Sequence, residues 1–80
     1  MQMTDLKETL ISIAKAIVDH PDEVNVSANE EGDKVTLVLN VAEGDMGMVI
    51  GKGGKIAKAI RTVMRAAASA DGKDVSVVIR

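Results

Sequence analysis

The sequence contains no cysteine and no phenylalanine, tyrosine or tryptophan among its 80 residues. Without cysteine it forms neither a disulfide nor a cysteine-ligated zinc site, two devices that often stabilise very small domains. Without aromatic residues its core must be built from Val, Ile, Leu, Met and Ala, which a hydrophobic fraction of 46% supplies. We therefore expect one domain over residues 1–80, near the lower size limit for folding alone, with oligomerisation as a further source of buried surface.

Long apolar runs and chemically reactive groups are missing as well. No run approaches the roughly 18 residues that a membrane-spanning helix requires, and the first five residues carry neither a basic patch nor a hydrophobic signal core. The single histidine, His20, has no second histidine or cysteine with which to hold a metal. We expect a cytoplasmic protein with no membrane contact, metal, cofactor, small-molecule substrate or catalytic residue.

Charge is divided unevenly along the chain. Residues 1–45 hold ten acidic and three basic residues, a balance of −7, whereas residues 46–80 hold two acidic and seven basic residues, a balance of +5. Between Met46 and Ala70 no residue is acidic and five are basic: Lys52, Lys55, Lys58, Arg61 and Arg65. This asymmetry indicates a surface that faces a polyanion. The alternative interpretation, an ordinary solvated helix face, is weakened by the glycine-rich segment alongside.

Hydrophobic periodicity predicts the first half of the fold. Apolar residues spaced for one face of a helix predict a helix over Asp5–Asp19, which Pro21 ends by disfavouring helical geometry at His20. Period-two alternation then predicts strands over residues 24–29 and 34–41, joined through Gly32 as an antiparallel hairpin. A third strand is predicted over residues 75–80. Val38 and Val78 interrupt the polar face of this sheet.

A short helix over Asp45–Ile50, a glycine break and a long helix over Lys55–Ala70 are predicted between the second and third strands. On the long helix the predicted apolar stripe consists of Ile56, Ile60, Val63 and Ala67. The basic residues of this helix are predicted to lie roughly opposite. No internal repeat, linker or low-complexity segment is present.

The glycine break is the most informative segment. Five of the seven glycines fall between Gly44 and Gly54, and the cluster ends where the long helix begins. Glycine permits positive φ and close backbone approach, and a helix N-terminus favours an anion, so Lys52 and Lys55 are predicted to contact phosphate. The segment fits neither G-x-x-x-x-G-K-[ST] nor G-x-G-x-x-G, which argues against mononucleotide and dinucleotide binding.

Val49-Ile50-Gly51-Lys52-Gly53-Gly54 resembles the V-I-G-x-x-G signature of KH domains, in which the G-x-x-G loop joins two helices. With an added N-terminal helix and strand, the element order resembles the type II arrangement. The resemblance implies an α+β fold of order α-β-β-α-α-β, with a three-stranded mixed sheet packed on three helices. The segment Gly51–Arg61 is also similar to KhpA, a family of small bacterial stand-alone KH proteins.

The resemblance implies a non-catalytic protein that clamps about four nucleotides of single-stranded RNA with its G-x-x-G backbone. Bases are expected in an aliphatic groove between the two helices and the neighbouring strand, with Leu37 or Leu39 as further lining residues. The residues expected to bind RNA are Ile50, Gly51, Lys52, Gly53, Gly54, Lys55, Ile56, Lys58 and Arg61. One departure from the family pattern is Ala57, which stands where a larger hydrophobic residue is common.

In the cell, the resemblance implies a post-transcriptional regulator or RNA chaperone. It also implies a homodimer, or a heterodimer with another KH-containing RNA-binding protein. Two surfaces are open for pairing: the outer sheet face with Val38 and Val78, and the long helix near Ile60 and Met64, where pairing would compete with core packing. The alternative function is a protein-interaction module that uses the KH fold to assemble with a larger RNA-binding partner.

Overall fold

Three helices pack on one face of a three-stranded sheet in the computed structural model, which describes residues 3–80. The helices are α1 (Met3–Ile17), α2 (Met46–Ile50) and α3 (Lys55–Ser69), and the strands are β1 (Asn25–Glu31), β2 (Lys34–Asn40) and β3 (Asp74–Ile79). Single 3₁₀ turns occupy Pro21–Glu23, Glu43–Asp45 and Lys52–Gly54. The order α-β-β-α-α-β confirms the predicted type II arrangement. No helix of residues 3–80 is long and apolar enough to cross a membrane.

The sheet has the order β1-β2-β3 and is mixed, as expected. Strands β1 and β2 form an antiparallel hairpin whose turn contains Gly32 at φ 62°. Strands β2 and β3 are parallel, which requires a long crossover, and α2 and α3 provide it. Strand β3 is therefore an edge of the sheet, and α3 packs along it.

Helix boundaries differ slightly from those predicted. Helix α1 begins two residues before Asp5 and ends at Ile17, two residues before Asp19. The residue before Pro21, His20, has non-helical angles (φ −121°, ψ 71°), as the steric effect of proline requires. The last helical hydrogen bond of α1 is donated by the Val18 N–H to the Ala14 carbonyl. Helix α1 thus ends before the proline, and the residues between Ile17 and Pro21 turn toward α2.

The core lies between the helices and the sheet and is wholly aliphatic. Its central members are Leu6, Leu10, Val35, Leu37, Leu39, Ile60, Met64 and Val77. Leu37 and Leu39 are completely buried, so the expectation that one of them lines a surface groove is wrong. Alternation along β2 turns both side chains toward the helices.

The apolar stripe of α3 is displaced from the predicted one. Its buried residues are Ala57, Ile60, Met64 and Ala68, whereas Ile56 is 39% exposed and Val63 is 50% exposed. Ile60 and Met64 fill the middle of this buried face, and Ala57 and Ala68 lie at its two ends. The prediction of Ile56 and Val63 as part of the buried stripe is therefore wrong. Ala57 occupies the core position that the family pattern assigns to a larger residue.

Candidate nucleic-acid interface

The loop between α2 and α3 is formed by three glycines with positive φ. Gly51 has φ 76° and ψ 173°, Gly53 has φ 65° and Gly54 has φ 78°. The angles of Gly51 fall in a region that only glycine adopts without strain. Its N–H donates to the Gly47 carbonyl at 2.9 Å, and its own carbonyl accepts from Gly54 N–H at 3.1 Å. The loop is thus a defined turn that closes α2 and starts α3.

Gly51 is also required by packing. A Cβ built on Gly51 would overlap the Ile56 side chain, whereas a Cβ on Gly53 or Gly54 would meet no atom within 4 Å. The Gly53 and Lys52 surfaces are exposed, and Lys52 and Lys55 both project from the turn into solvent. The loop therefore presents open backbone and two cations on a rigid base, which suits close approach of a phosphate backbone.

Helix α3 separates the predicted site residues onto two flanks. On the flank toward β3, Arg61 and Arg65 line a cleft of about 200 Å³ with Val75, Ser76 and Val77. On the flank toward α1, an entirely apolar groove of about 380 Å³ is lined by Ile13, Ile17, Ile56, Ala59, Ile60 and Val63. The structure therefore does not bring Ile56 together with Arg61. Ile56 lies against Gly51 and faces α1, away from the β3 cleft.

The remaining predicted residues follow the loop. Ile50, at the end of α2, is 38% exposed beside Gly51, and Lys55 and Lys58 are exposed on α3. Lys52 in the loop and Arg61 on α3 are exposed as well. Within residues 3–80 no group of three metal-ligating side chains occurs.

Arg61 is held in place at the cleft. Its Nε donates to the Val77 carbonyl at 3.2 Å, which fixes the guanidinium against the edge of β3. The sequence predicted Arg61 from its position in the basic run, but it contained no signal for this contact. The contact depends on which strand forms the sheet edge, and that is decided by the tertiary fold.

Asp45 is a structural residue of the site that the sequence did not reveal. Its side chain is 1% exposed and accepts hydrogen bonds from the His20 backbone N–H at 2.9 Å and from His20 Nδ1 at 3.0 Å. An aspartate before a helix usually caps it, yet Asp45 makes no cap bond to α2. It joins the turn after α1 to the start of the helix that carries the loop.

These contacts shift the pKa of both partners. The hydrogen bond and the charge of Asp45 raise the pKa of His20 above its usual value. Burial raises the pKa of Asp45, but the hydrogen bonds and charge of His20, together with a hydrogen bond from the Asp19 backbone, lower it by more, so the pKa of the carboxyl lies below its usual value. An ionised Asp45 therefore persists at neutral pH in the interior behind α2.

A family model described as KhpA/KhpB, KH domain, matches residues 7–79. The chain is 54% identical over 74 residues to the RNA-binding protein KhpA of Clostridium acetobutylicum, covering 92% of this chain and 99% of that one. It is 43% identical over 79 residues to the RNA-binding protein KhpA of Bacillus subtilis, covering 96% and 98%.

Solved structures with the same fold include Era. Aquifex aeolicus Era bound to GDP and AlF4⁻ matches with a TM-score of 0.68 at 22% identity, over 92% of this chain and 29% of that one. Era in complex with MgGDPNP and nucleotides 1506–1542 of 16S ribosomal RNA matches with a TM-score of 0.67 at 20% identity, over 92% and 28%. The likeness to these structures concerns the fold.

Proposed function

The chain belongs to the KhpA/KhpB family of KH domains, and we propose that it binds single-stranded RNA through the loop Gly51–Gly54. The observation that carries the proposal is the exposed glycine turn, with Lys52 inside it and Lys55 directly after it. Its relatives are named RNA-binding proteins, which agrees with the expectation that the chain is not an enzyme. Binding of RNA in the cytoplasm, as a post-transcriptional regulator or RNA chaperone, is part of the proposal.

The proposed path of the RNA runs from the loop along the β3 flank of α3. The sugar-phosphate backbone lies on Gly51–Gly54, where Lys52 and Lys55 neutralise phosphates, and Lys58 and Arg61 continue the positive surface. Bases then enter the cleft between α3 and β3, in which Arg61 and Arg65 face Val75 and Val77. The chain has no aromatic residue for base stacking, so recognition rests on backbone contacts and hydrogen bonds.

The experiment is a titration of single-stranded RNA over a range of salt concentrations. About three to five cations reach one short strand, so log K should fall against log salt with a slope of about −2 to −3.5. Duplex RNA should bind more weakly, because paired bases do not enter a cleft. A response that is flat with salt would contradict the proposal and favour a protein-interaction module.

We also propose that the chain pairs with a second KH domain, most simply a second copy, through the apolar groove between α1 and α3. Of the two surfaces expected from the sequence, the helix near Ile60 and Met64 needs correction, because both side chains belong to the core. The accessible residues of that helix are instead Ile56 and Val63, which with Ile13 and Ile17 line the groove.

The lining of the groove supports this pairing. It contains no charged or polar residue, so two copies related by a two-fold axis would meet without repulsion or an unpaired charge. Val38 and Val78, on the outer face, lie side by side in the sheet but among polar neighbours. Pairing also places two copies of the loop Gly51–Gly54 on one dimer, which raises the affinity for RNA through effective concentration.

A further inference from the structure

We propose that Arg61 is a base-reading residue and gives the cleft between α3 and β3 a preference for guanine over adenine. This inference rests on the RNA-binding function proposed above and concerns which base the cleft accepts. It is carried by the hydrogen bond from Arg61 Nε to the Val77 carbonyl and by the free edge of β3 beside it.

The direction of the backbone groups along β3 follows from its pairing with β2. The Asp74 N–H donates to the Asp33 carbonyl and the Arg80 N–H to the Leu39 carbonyl, so the even-numbered residues of β3 face β2. Alternate residues of a parallel strand point to opposite sides. The backbone groups of Val75 and Val77 therefore point away from β2, into the cleft that Arg61 and Arg65 line.

An open strand edge normally offers a base both donors and acceptors. Here the Val77 carbonyl is already taken by Arg61, which replaces one acceptor with the donors of a guanidinium. Only Nε is used for that bond, so both terminal nitrogens of Arg61 remain as a two-pronged donor. Arg65, four residues along α3, adds further donors on the same side. The Val75 carbonyl remains as an acceptor, farther along the strand.

A cleft lined by the hydrogen-bond donors of two arginines favours a base with two adjacent hydrogen-bond acceptors on one edge. Guanine presents N7 and O6, which an arginine fork matches with two parallel hydrogen bonds. Adenine presents N7 beside an amino group, so it would place a donor against a donor, and uracil has no two acceptors side by side. Cytosine is the other base with adjacent acceptors, N3 and O2 on its unpaired edge, so the donors discriminate against adenine and not against cytosine. The anchoring of Nε lowers the conformational entropy that Arg61 loses on binding, because the side chain is already held at the cleft.

The test uses hexanucleotides of uridine in which one position is guanosine, adenosine or 7-deazaguanosine, a guanosine analogue that lacks the N7 acceptor. With the wild-type chain, guanosine at one position should bind about five- to tenfold tighter than adenosine there, at the lower end of one arginine–guanine contact. 7-Deazaguanosine at that position should lose most of the gain. In Arg61→Lys, which keeps the charge but removes the planar fork, the preference for guanosine should shrink, and in Arg61→Gln guanosine and adenosine should bind about equally.

Lys58→Ala is the matched control, since it removes a cation of α3 outside the cleft lining and should weaken all oligonucleotides by the same factor. Equal binding of guanosine and 7-deazaguanosine by the wild-type chain would overturn the proposal even if Arg61→Lys did not fold. A preference for adenosine would overturn it in favour of reading by the β3 backbone. Binding without any base preference would overturn it and leave the RNA-binding function standing, whereas absence of all binding would overturn both.

Discussion

The side chain of Ile56 occupies the space that a Cβ on Gly51 would need. Gly51 closes α2 and Ile56 lies in the first turn of α3, so this contact sets how closely the two helices approach at the loop. The same isoleucine lines the groove toward α1 with its other surface. Ile56 thus contacts both the loop that we propose binds RNA and the surface that we propose for pairing.

Gly51→Ala should destabilise the fold for two reasons. The added Cβ overlaps the Ile56 side chain. The backbone angles of residue 51 also cost any residue other than glycine about 1–3 kcal/mol. Urea unfolding measures the change in the free energy of unfolding. Gly47→Ala is the control, because Gly47 lies inside α2 with nothing within 4 Å of its added Cβ. It should be neutral or stabilising by about 0.5–1 kcal/mol. Equal effects of the two substitutions would contradict this account of Gly51.

Combining Ile56→Ala with Gly51→Ala separates the steric overlap with Ile56 from the backbone strain at residue 51. The second substitution removes the atoms that the new Cβ meets, so the double variant should lose less than the sum of the two single effects. The part of the penalty that comes from the backbone angles should remain. Strict additivity in a double-mutant cycle would show that the overlap contributes nothing.

Replacing Lys52 and Gly53 together with aspartate should abolish RNA binding and leave the far-ultraviolet circular dichroism unchanged. Both positions are exposed, and aspartate is among the residues that tolerate the left-handed angles of Gly53. The new carboxylates repel phosphate at the point of closest approach. Ser12→Asp with Lys15→Asp is the matched control, with the same charge change at exposed positions of α1. A folded loop variant that binds as tightly as wild type would refute the loop assignment.

Val63→Asp should weaken self-association without unfolding the monomer, because the side chain is 50% exposed and its new charge would be buried on pairing. Sedimentation at micromolar concentration measures the effect. Thr62→Asp places the same charge on the neighbouring exposed position, outside the groove lining, and should behave as wild type. A wild-type chain that sediments as a single species of 8.4 kDa, with and without RNA, would contradict the pairing itself.

The His20–Asp45 contact should make stability depend on pH in two ranges. The pKa of His20 is raised in the folded chain, so its contribution is complete below the unfolded pKa of about 6.5 and is lost as pH rises through the folded pKa. The pKa of Asp45 is lowered, so its contribution is present above the unfolded pKa of about 3.9 and is lost as pH falls through the folded pKa.

Urea unfolding between pH 3 and pH 9 measures both ranges. His20→Gln should flatten the dependence above neutrality and keep most of the acidic loss, because the backbone N–H of residue 20 still donates to Asp45. Asp45→Asn should flatten both. An unchanged profile in Asp45→Asn would show that other carboxylates govern the pH dependence.

Local patterns in the sequence were sufficient for the element order, the hairpin, the glycine loop and the family. Each of these depends on short-range physics: period-two alternation for β2, the steric effect of Pro21 on the residue before it, and positive φ at Gly51. The core side of β2 was likewise determined, because alternation along Val35, Leu37 and Leu39 leaves one face apolar. The prediction that Leu37 or Leu39 lines a surface groove was wrong because both side chains lie on this buried face of β2.

The tertiary structure decided what lies on each side of α3. Its sequence offers two overlapping apolar stripes, one through Ile56 and Val63 and one through Ala57, Met64 and Ala68, and periodicity does not choose between them. The choice falls to packing, since Ile60 and Met64 fill the interface with Ala57 and Ala68 at its ends, and Ile56 and Val63 are left exposed beside it. That rotation separates Ile56 from Arg61, sets Arg61 against the edge of β3, and exposes the groove toward α1. The contact between Asp45 and His20 also could not be predicted from the sequence. The two residues are 25 positions apart along the chain and meet only when α1 and α2 are packed.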